Sequence, residues 1–264
     1  PSHSPHRCSG GCSGLGLLES SGLPCFVSSF VASVMDKMDN SLGELRLALV
    51  QADLRWEDPA ANCAHLSGLL TGVQADVVVL PEMFATGFTM QPERCAVGPD
   101  DPVLEWLRTT AHALGAAVVG SLAYVEPGSP PRYCNRLLVQ LPDGQCHHYD
   151  KRHLFRMAGE HEVYAAGTTH LQVEWRGWQL APLVCYDLRF PVWSRTRSFA
   201  DQPYDVLMYV ANWPARRSHH WRRLLAARAI ENQCYCLGVN RTGTDGNGIA
   251  YDGQTLAYDY HGEA

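Results

Sequence analysis

Residues 75–82 read Ala75-Asp-Val-Val-Val-Leu-Pro-Glu82, a short apolar run that Pro81 ends and a carboxylate follows. A run of this length without polar alternation predicts a strand that is buried on both faces. Strands of this kind belong to sheets that helices cover, so the stretch favours an α/β domain.

Strands and helices alternate on both sides of this run. The alternating residues Leu45–Gln51 predict the first convincing strand, and a helix should follow from about Pro59 to Leu70. The next helix is marked by Asp101 as N-cap, Pro102 at its first position and Gly115 at its end. Further strands are predicted over residues 116–122, 132–141, 145–150, 178–185, 204–211 and 234–240, and a further helix over 218–232. Hairpins beside strand–helix repeats indicate a mixed sheet with helices on its faces.

Composition restricts the class of protein. The chain has 264 residues, of which 46% are hydrophobic and 18% charged, so it has enough apolar material for a sizeable core. Its formal net charge of -6 argues against a nucleic-acid partner. Because no apolar run approaches the roughly 18–20 residues that span a bilayer, we expect no membrane association. A globular enzyme or binding domain remains.

The ten cysteines are scattered along the chain and include no C-x-x-C pair. A disulfide scaffold is therefore not expected. Cys234 and Cys236 would share one face of a strand, but no second ligand pair follows, so we expect no zinc site and no other metal or cofactor. Reduced thiols in a cytoplasmic protein fit this pattern, and the question becomes which thiol is reactive.

The first 40 residues differ in composition from the rest. Residues 1–34 are rich in Ser, Gly and Pro, with only Arg7 and Glu19 charged, and they lack the basic start of a signal peptide. We expect residues 1–40 to be a disordered or non-native leader, and residues 45–264 to form the folded domain.

Three residues that carry chemistry each follow a predicted strand, where α/β folds collect their sites: Glu82, Lys151 and Cys185. Cys185 is expected at an exposed strand-to-turn elbow, near backbone N–H groups that favour the nucleophilic thiolate. Glu82 would be a partly desolvated carboxylate suited to proton transfer, and Lys151 would stabilise an oxyanion. Taken singly, each has an ordinary alternative: a small buried thiol, a loop glutamate and a loop lysine.

Together, in this order and spacing, the three residues resemble the catalytic triad of the nitrilase superfamily of carbon–nitrogen hydrolases. Residues 212–214 (Asn-Trp-Pro) and 228–232 (Arg-Ala-Ile-Glu-Asn) also match family motifs, and the resemblance runs from about Leu45 to the end of the chain. The segment from Cys185 to Phe190 resembles the amidase branch. The closest likeness is to bacterial omega-amidases, and it is supported by residues 83–88, 151–157 and 185–195.

The resemblance implies a four-layer α-β-β-α sandwich that pairs into a homodimer. It also implies hydrolysis of the terminal amide of 2-oxo acids such as 2-oxoglutaramate and 2-oxosuccinamate, through a thioester on Cys185. Glu82 would act as base and then acid, while Lys151 and the backbone N–H of Tyr186 would hold the oxyanion. Glu160 matches a second family glutamate that orients Lys151, and Glu162 is the competing candidate.

At the substrate end, Arg189 is a candidate partner for a substrate carboxylate, because arginine binds carboxylates in a bidentate manner. Its alternative is a structural salt bridge. The aromatic residues that follow three different strands are expected to wall a small pocket, with plain core packing as the alternative: Phe84, Phe155 and Trp213.

Other functions stay open at this point. The chain could be another amidase or carbamoylase of the same superfamily, or a non-catalytic scaffold with this fold. The chain ends at Ala264, after a Gly-Glu that would begin a further strand in the family. We therefore expect a domain that is truncated at its C-terminus.

Overall fold

Two mixed β-sheets form the frame of the computed structural model, which describes residues 25–35, 42–195 and 203–264. The first sheet has six strands in chain order: β1 (Phe26–Met35), β2 (Leu42–Gln51), β3 (Val77–Val79), β4 (Ala117–Glu126), β5 (Arg132–Gln140) and β6 (Cys146–Asp150). Strands β2, β3 and β4 are parallel, whereas β1, β5 and β6 pair antiparallel with their neighbours.

The second sheet has five strands. They are β7 (Val173–Trp175), β8 (Trp178–Val184), β9 (Val206–Ala211), β10 (Tyr235–Asn240) and β13 (Leu256–Tyr258), in the order β13-β10-β9-β8-β7. The central strands β8, β9 and β10 are parallel, and the two edges are antiparallel. A small hairpin, β11 (Thr242–Thr244) and β12 (Ala250–Asp252), lies outside both sheets.

Helices cover the outer faces of the two sheets. Leu47 and Leu49 on β2 share a core with β8, β9 and β10, whereas Ala48 and Val50 face the other way. That outer face packs against α1 (Pro59–Leu69) and α2 (Pro102–Leu114). Across the molecule, α4 (Ser218–Asn232) covers the second sheet, and Gly238 on β10 allows the close approach, because a Cβ there would lie 2.4 Å from Trp221. The predicted α/β fold, a four-layer α-β-β-α sandwich with mixed sheets, is confirmed.

The helix with the clearest sequence signals has the predicted bounds. The Asp101 carboxylate accepts the backbone N–H of Val103, Pro102 opens α2, and Gly115 ends it in the left-handed conformation, with φ of 61°. An L-residue with a Cβ is strained there, which explains the glycine.

One prediction is wrong within the supposed leader of residues 1–40. The described part of this segment forms β1, which pairs with the edge of β2 over its whole length. Its β-branched and aromatic residues suit a strand. The strand also packs on the domain, because Ala32 is fully buried and the ring of Phe30 lies edge-on against Tyr235 at 5.9 Å. Residues 1–24 and 36–41 lie outside the described residues, and a non-native origin of the segment stays a prediction.

The longest described helix is α4, with 15 residues. A membrane-spanning helix needs about 20 mostly apolar residues. Among the residues that the structure describes, no helix has the length and apolar character for crossing a bilayer.

Candidate active site

The two sheets bring the ends of three strands to one place. Glu82 lies in the turn after β3, Lys151 follows β6 directly, and Cys185 follows β8 directly. The first two belong to one sheet and Cys185 to the other, so the site lies where the sheet ends meet. All three side chains are buried.

Lys151 is held between two carboxylates. Its Nζ atom lies 2.9 Å from Oε1 of Glu82 and 3.0 and 2.9 Å from the two carboxylate oxygens of Glu160. Burial by itself would lower the pKa of the Lys151 ammonium, but the charges of Glu160 and Glu82 outweigh it and raise that pKa. Lys151 is therefore a fixed cation at neutral pH.

Glu160, and not Glu162, is the second glutamate of the site. Glu160 opens the short helix α3 (Glu160–Val163), is fully buried, and also accepts the backbone N–H of Phe155 at 2.5 Å. The Glu162 side chain is 75% exposed. Burial, opposed by Lys151 and reinforced by Glu82, raises the pKa of the Glu160 carboxyl, because two carboxylates share one ammonium.

Two asparagines complete this network, and neither was predicted as a site residue. Asn135, on β5, donates through Nδ2 to Oε1 of Glu82 at 2.8 Å and to Oε1 of Glu160 at 3.1 Å. Asn212 follows β9 and donates its backbone N–H to Oε2 of Glu82 at 2.8 Å. The motif around Asn212 was noticed, but Asn135 lies in an ordinary strand, and only the pairing of β5 with β4 and β6 places it here.

Cys185 occupies a constrained turn at the end of β8. Its φ of 44° lies in the left-handed region, which costs a residue with a Cβ roughly 1–2 kcal/mol. The prediction of an exposed thiol is wrong: Cys185 is 9% exposed, at the inner end of a cavity. Burial and the charge of Glu82 raise the pKa of the thiol against the opposing effect of Lys151, and Sγ donates to the backbone carbonyl of Asn212 at 4.0 Å. The Cys185 thiol is therefore protonated at neutral pH.

Asp187, two residues on, holds the Cys185 turn in place. Its Oδ2 atom accepts the hydroxyl of Tyr149 at 2.8 Å and the backbone N–H of Val184 at 3.1 Å. Its Oδ1 atom accepts the backbone N–H of His153 at 2.9 Å and the ring Nδ1–H of the same residue at 2.8 Å. One buried carboxylate thus ties the turn after β8 to the loop after β6, which carries Lys151.

A cavity of about 340 Å³ opens onto Cys185. That is a suitable size for a small organic ligand. Four of the predicted residues line it: Tyr186, Arg189, Phe155 and Trp213. The remaining wall comes from Trp56, residues 88–91, residues 157–158, the segment at 245–251 and the segment before α4.

The prediction for Phe84 is wrong. Phe84 is fully buried under the first sheet, where its ring packs 5.7 Å from that of Trp106 and close to Gly120. The chain turns sharply after Glu82, with Met83 at a φ of 46°, and this turn directs Phe84 into the helical layer. Phe88 lines the cavity instead, with Lys151 Nζ 5.1 Å from the centre of its ring.

Arg189 faces the cavity, where it contacts a tryptophan ring and a histidine. Its guanidinium lies 4.9 Å from the centre of the Trp213 ring, and Nη2 donates to Nδ1 of His220 at 2.9 Å. Within the described residues, no carboxylate forms an ion pair with it. The salt-bridge alternative is thus wrong for the part of the chain described, and the guanidinium lines the space where a ligand would bind.

One other cluster has the composition of a metal site. Ligand atoms of Glu126, Cys134 and Asp150 all lie within 4.8 Å of one another. Both carboxylates are already paired with arginine: Arg136 binds Asp150 through two hydrogen bonds of 2.7 and 2.9 Å and Glu126 through one of 2.5 Å. Burial raises the pKa of the Cys134 thiol to about 11, so the thiol stays protonated at neutral pH. The cluster fits a guanidinium, and we assign it no metal.

Several known proteins are similar to this chain over most of its length. The chain is 51% identical over 223 residues to "Omega-amidase YafV" of Yersinia enterocolitica, covering 84% of each chain. It is 32% identical over 203 residues to "2-oxoglutaramate amidase" of Bacillus subtilis, covering 75% of this chain and 77% of the relative. The crystal structure of XC1258 from Xanthomonas campestris, a CN-hydrolase superfamily protein, superposes with a TM-score of 0.79 at 45% identity, over 83% of this chain and 84% of that one. Residues 46–264 match the carbon–nitrogen hydrolase family, and the chain belongs to that family.

Proposed function

We propose that this protein is an omega-amidase, which hydrolyses the terminal amide of 2-oxo acids such as 2-oxoglutaramate and 2-oxosuccinamate to the dicarboxylic acid and ammonia. The observation that carries the proposal is the buried group of Glu82, Lys151 and Glu160 beside the Cys185 thiol, at the inner end of a cavity lined by arginine. Relatives that are about half and about a third identical carry omega-amidase and 2-oxoglutaramate amidase names.

In the first half of the reaction, Cys185 attacks the amide carbon. Because the thiol is protonated at rest, the attack needs a base, and the Glu82 carboxylate is near enough for its charge to raise the pKa of the thiol. The sulfur–carbon bond forms as Glu82 takes the proton. Lys151 and the backbone N–H of Tyr186 hold the developing oxyanion, and such donors typically contribute a few kcal/mol each. Glu82 then returns the proton to nitrogen, and the carbon–nitrogen bond breaks to release ammonia.

In the second half, water hydrolyses the thioester. Glu82 removes a proton from the water, the new carbon–oxygen bond forms, and the thiolate leaves and is reprotonated. Glu160 and Asn135 are positioning residues here, because Asn135 contacts the base Glu82 and Glu160 contacts Lys151. Arg189 holds the substrate carboxylate, and Phe155 and Trp213 wall its carbon chain.

We further propose that the protein is cytoplasmic and acts as a homodimer. Its eight described cysteines are all unpaired, which suits a reducing compartment. Ile230 and Tyr260 expose about half of their side chains near the end of α4, and exposed apolar residues of this size suit an interface. Sedimentation velocity of the purified chain tests the dimer, and a monomer at micromolar concentration would contradict it.

Ammonia release tests the activity. The wild-type chain and Cys185→Ala are assayed with 2-oxoglutaramate, glutamine and a simple nitrile. We expect release from the oxo-amide, little from glutamine and none from the nitrile, with the activity lost in Cys185→Ala. A folded wild-type chain that releases ammonia from none of them, or equally from glutamine, would contradict the proposal.

A further inference from the structure

One wall of the cavity carries three arginines. Arg189 comes from the turn after β8, and Arg216 and Arg217 come from the segment that precedes α4. Arg216 is exposed at the mouth, whereas Arg189 and Arg217 are partly buried. Of the three, only Arg189 was predicted from the sequence to bind substrate. Arg217 lies at the same cavity because the chain after β9 returns across the same end of the second sheet.

In the described part of the chain, none of the three arginines forms an ion pair with an acidic side chain. Among the described residues that line the cavity, the acidic one is Asp245, and its carboxylate bonds to its own segment of the chain. Its Oδ1 atom accepts the backbone N–H groups of Asn247 and Ile249, and its Oδ2 atom accepts the hydroxyl of Tyr251.

The two inner guanidiniums are each set against an aromatic ring. The Cζ atom of Arg217 lies 5.1 Å from the centre of Phe155, as that of Arg189 lies 4.9 Å from Trp213. Stacking holds the plane of a guanidinium and leaves its N–H edge available to a bidentate acceptor. Burial and the neighbouring charges of Arg216 and Arg189 lower the pKa of Arg217, so the like charges of this wall repel one another. A bound anion would relieve that repulsion.

We infer that Arg217 is a specificity-determining residue, which together with Arg189 binds the carboxylate at the far end of an amide substrate. This inference rests on the proposed function and deepens it, because it names the residue that selects acidic amides. Two guanidiniums on different elements can each take one side of the carboxylate, and the distance from this pair to Cys185 then sets the preferred substrate length.

Arg189 and Arg217 also explain how the protein would discriminate a 2-oxo acid from an amino acid. Glutamine and 2-oxoglutaramate both carry a terminal amide and a carboxylate, but glutamine adds an ammonium group beside the carboxylate. Near two guanidiniums this ammonium is repelled, whereas the second substrate carries only the carboxylate that they attract. Arg217 therefore favours the oxo acid both by attraction and by excluding the amino acid.

The test compares Arg217→Gln and Arg217→Lys with Arg223→Gln, a matched control on the exposed side of α4 that removes the same charge. Each change is also made in a Cys185→Ala background, and calorimetry measures the binding of glutaramate, a carboxylate amide, and of pentanamide, its uncharged counterpart. Steady-state kinetics of the active forms use 2-oxoglutaramate and glutamine. Circular dichroism of every variant verifies the fold.

For Arg217→Gln we expect glutaramate binding to weaken about 10- to 100-fold, with pentanamide binding unchanged. Glutaramate binding to Arg217→Lys should be weaker than to the parent and tighter than to Arg217→Gln. Arg223→Gln should bind glutaramate as tightly as the parent. In the active enzyme, the KM for 2-oxoglutaramate should rise more than kcat falls, and the preference over glutamine should shrink. Equal weakening of both amides, equal effects at positions 217 and 223, or no glutaramate binding to the Cys185→Ala parent would each overturn the inference. If glutaramate binding depends on Arg217 but 2-oxoglutaramate is not hydrolysed, the proposed function fails and the inference stands.

Discussion

The Nζ atom of Lys151 lies 2.9 Å from Oε1 of Glu82, and both side chains are completely buried. Glu160 on the other side of the ammonium makes this a group of three charges with no contact to solvent. Buried charges are tolerated only when opposite charges and hydrogen bonds offset their loss of hydration. Removing one of the three side chains should therefore have a large effect on stability.

Lys151→Met should lose all activity and destabilise the protein by about 3–5 kcal/mol, because two carboxylates then face each other in the interior without a cation. Urea unfolding followed by circular dichroism measures the loss. The informative comparison is the triple change Lys151→Met, Glu82→Gln and Glu160→Gln, which removes all three charges. It should be more stable than Lys151→Met alone; the reverse order would mean that lost packing, not uncompensated charge, dominates the effect.

Glu82→Gln should separate the two effects of this carboxylate on Cys185. We expect kcat to fall by about 100- to 10,000-fold, because the base is lost. The pKa of the Cys185 thiol should decrease at the same time, since burial raises it and the Glu82 charge raises it further, and a neutral amide removes the second contribution. The thiolate should therefore appear at lower pH in the variant than in the wild type.

Thiolate absorbance recorded during a pH titration measures this shift. The signal of Cys185 is isolated by subtracting the same titration of a protein that also carries Cys185→Ala, because nine other cysteines contribute. A thiol pKa that stays the same or increases in Glu82→Gln would contradict this account of the electrostatics, even if activity were lost.

Asn135→Ala should lower kcat about tenfold and leave KM nearly unchanged. The side chain donates to both Glu82 and Glu160, so its loss disturbs the base and not the residues that wall the cavity. Because two buried acceptors lose a donor, we also expect about 1–3 kcal/mol of destabilisation. Kinetics with 2-oxoglutaramate and urea unfolding check both parts, and a rise in KM with kcat unchanged would place Asn135 in substrate binding instead.

Asp187→Asn should lower both stability and activity although the side chain keeps its shape. Both oxygens of Asp187 accept hydrogen bonds, so an amide NH2 group must face at least one donor. We expect a loss of about 2–3 kcal/mol in the free energy of unfolding, since a buried group is left unsatisfied. His153→Phe is the matched control: it removes one ring donor to the carboxylate, keeps an aromatic ring stacked on Phe190, and should cost about 1 kcal/mol. Equal costs for the two changes would show that Asp187 does not organise the turn.

Local sequence signals predicted much of this structure because they act over a few residues. The caps of α2 and the span of α4 needed only the residues beside them. The strand ends that carry Glu82, Lys151 and Cys185 were also predicted from neighbouring residues. The resemblance to the family then indicated that the three side chains meet.

The missed features depend on contacts between distant segments. Asn135 reaches the site only through the register of β5, and Arg217 only through the return of the chain after β9. Phe84 was misplaced because the direction of a side chain after a sharp turn cannot be inferred from its position two residues after Glu82. Strand β1 was missed because the serines within it are typical of a loop. Its pairing with the edge of β2 cannot be inferred from the residues of the segment alone.

Strand β1 should contribute measurably to the stability of the domain, and Phe30 tests this. Its ring packs edge-on against Tyr235 of the second sheet, so Phe30 links the edge of one sheet to the other. Phe30→Ala should cost about 1–2 kcal/mol, less than the 3–5 kcal/mol typical of a fully buried phenylalanine, because the side chain is only partly buried. Val31 on the opposite face is 49% exposed, and Val31→Ala should change the free energy of unfolding by less than about 0.5 kcal/mol. If urea unfolding gives the same small change for both variants, β1 does not pack on the domain in solution, and the folded part begins at β2.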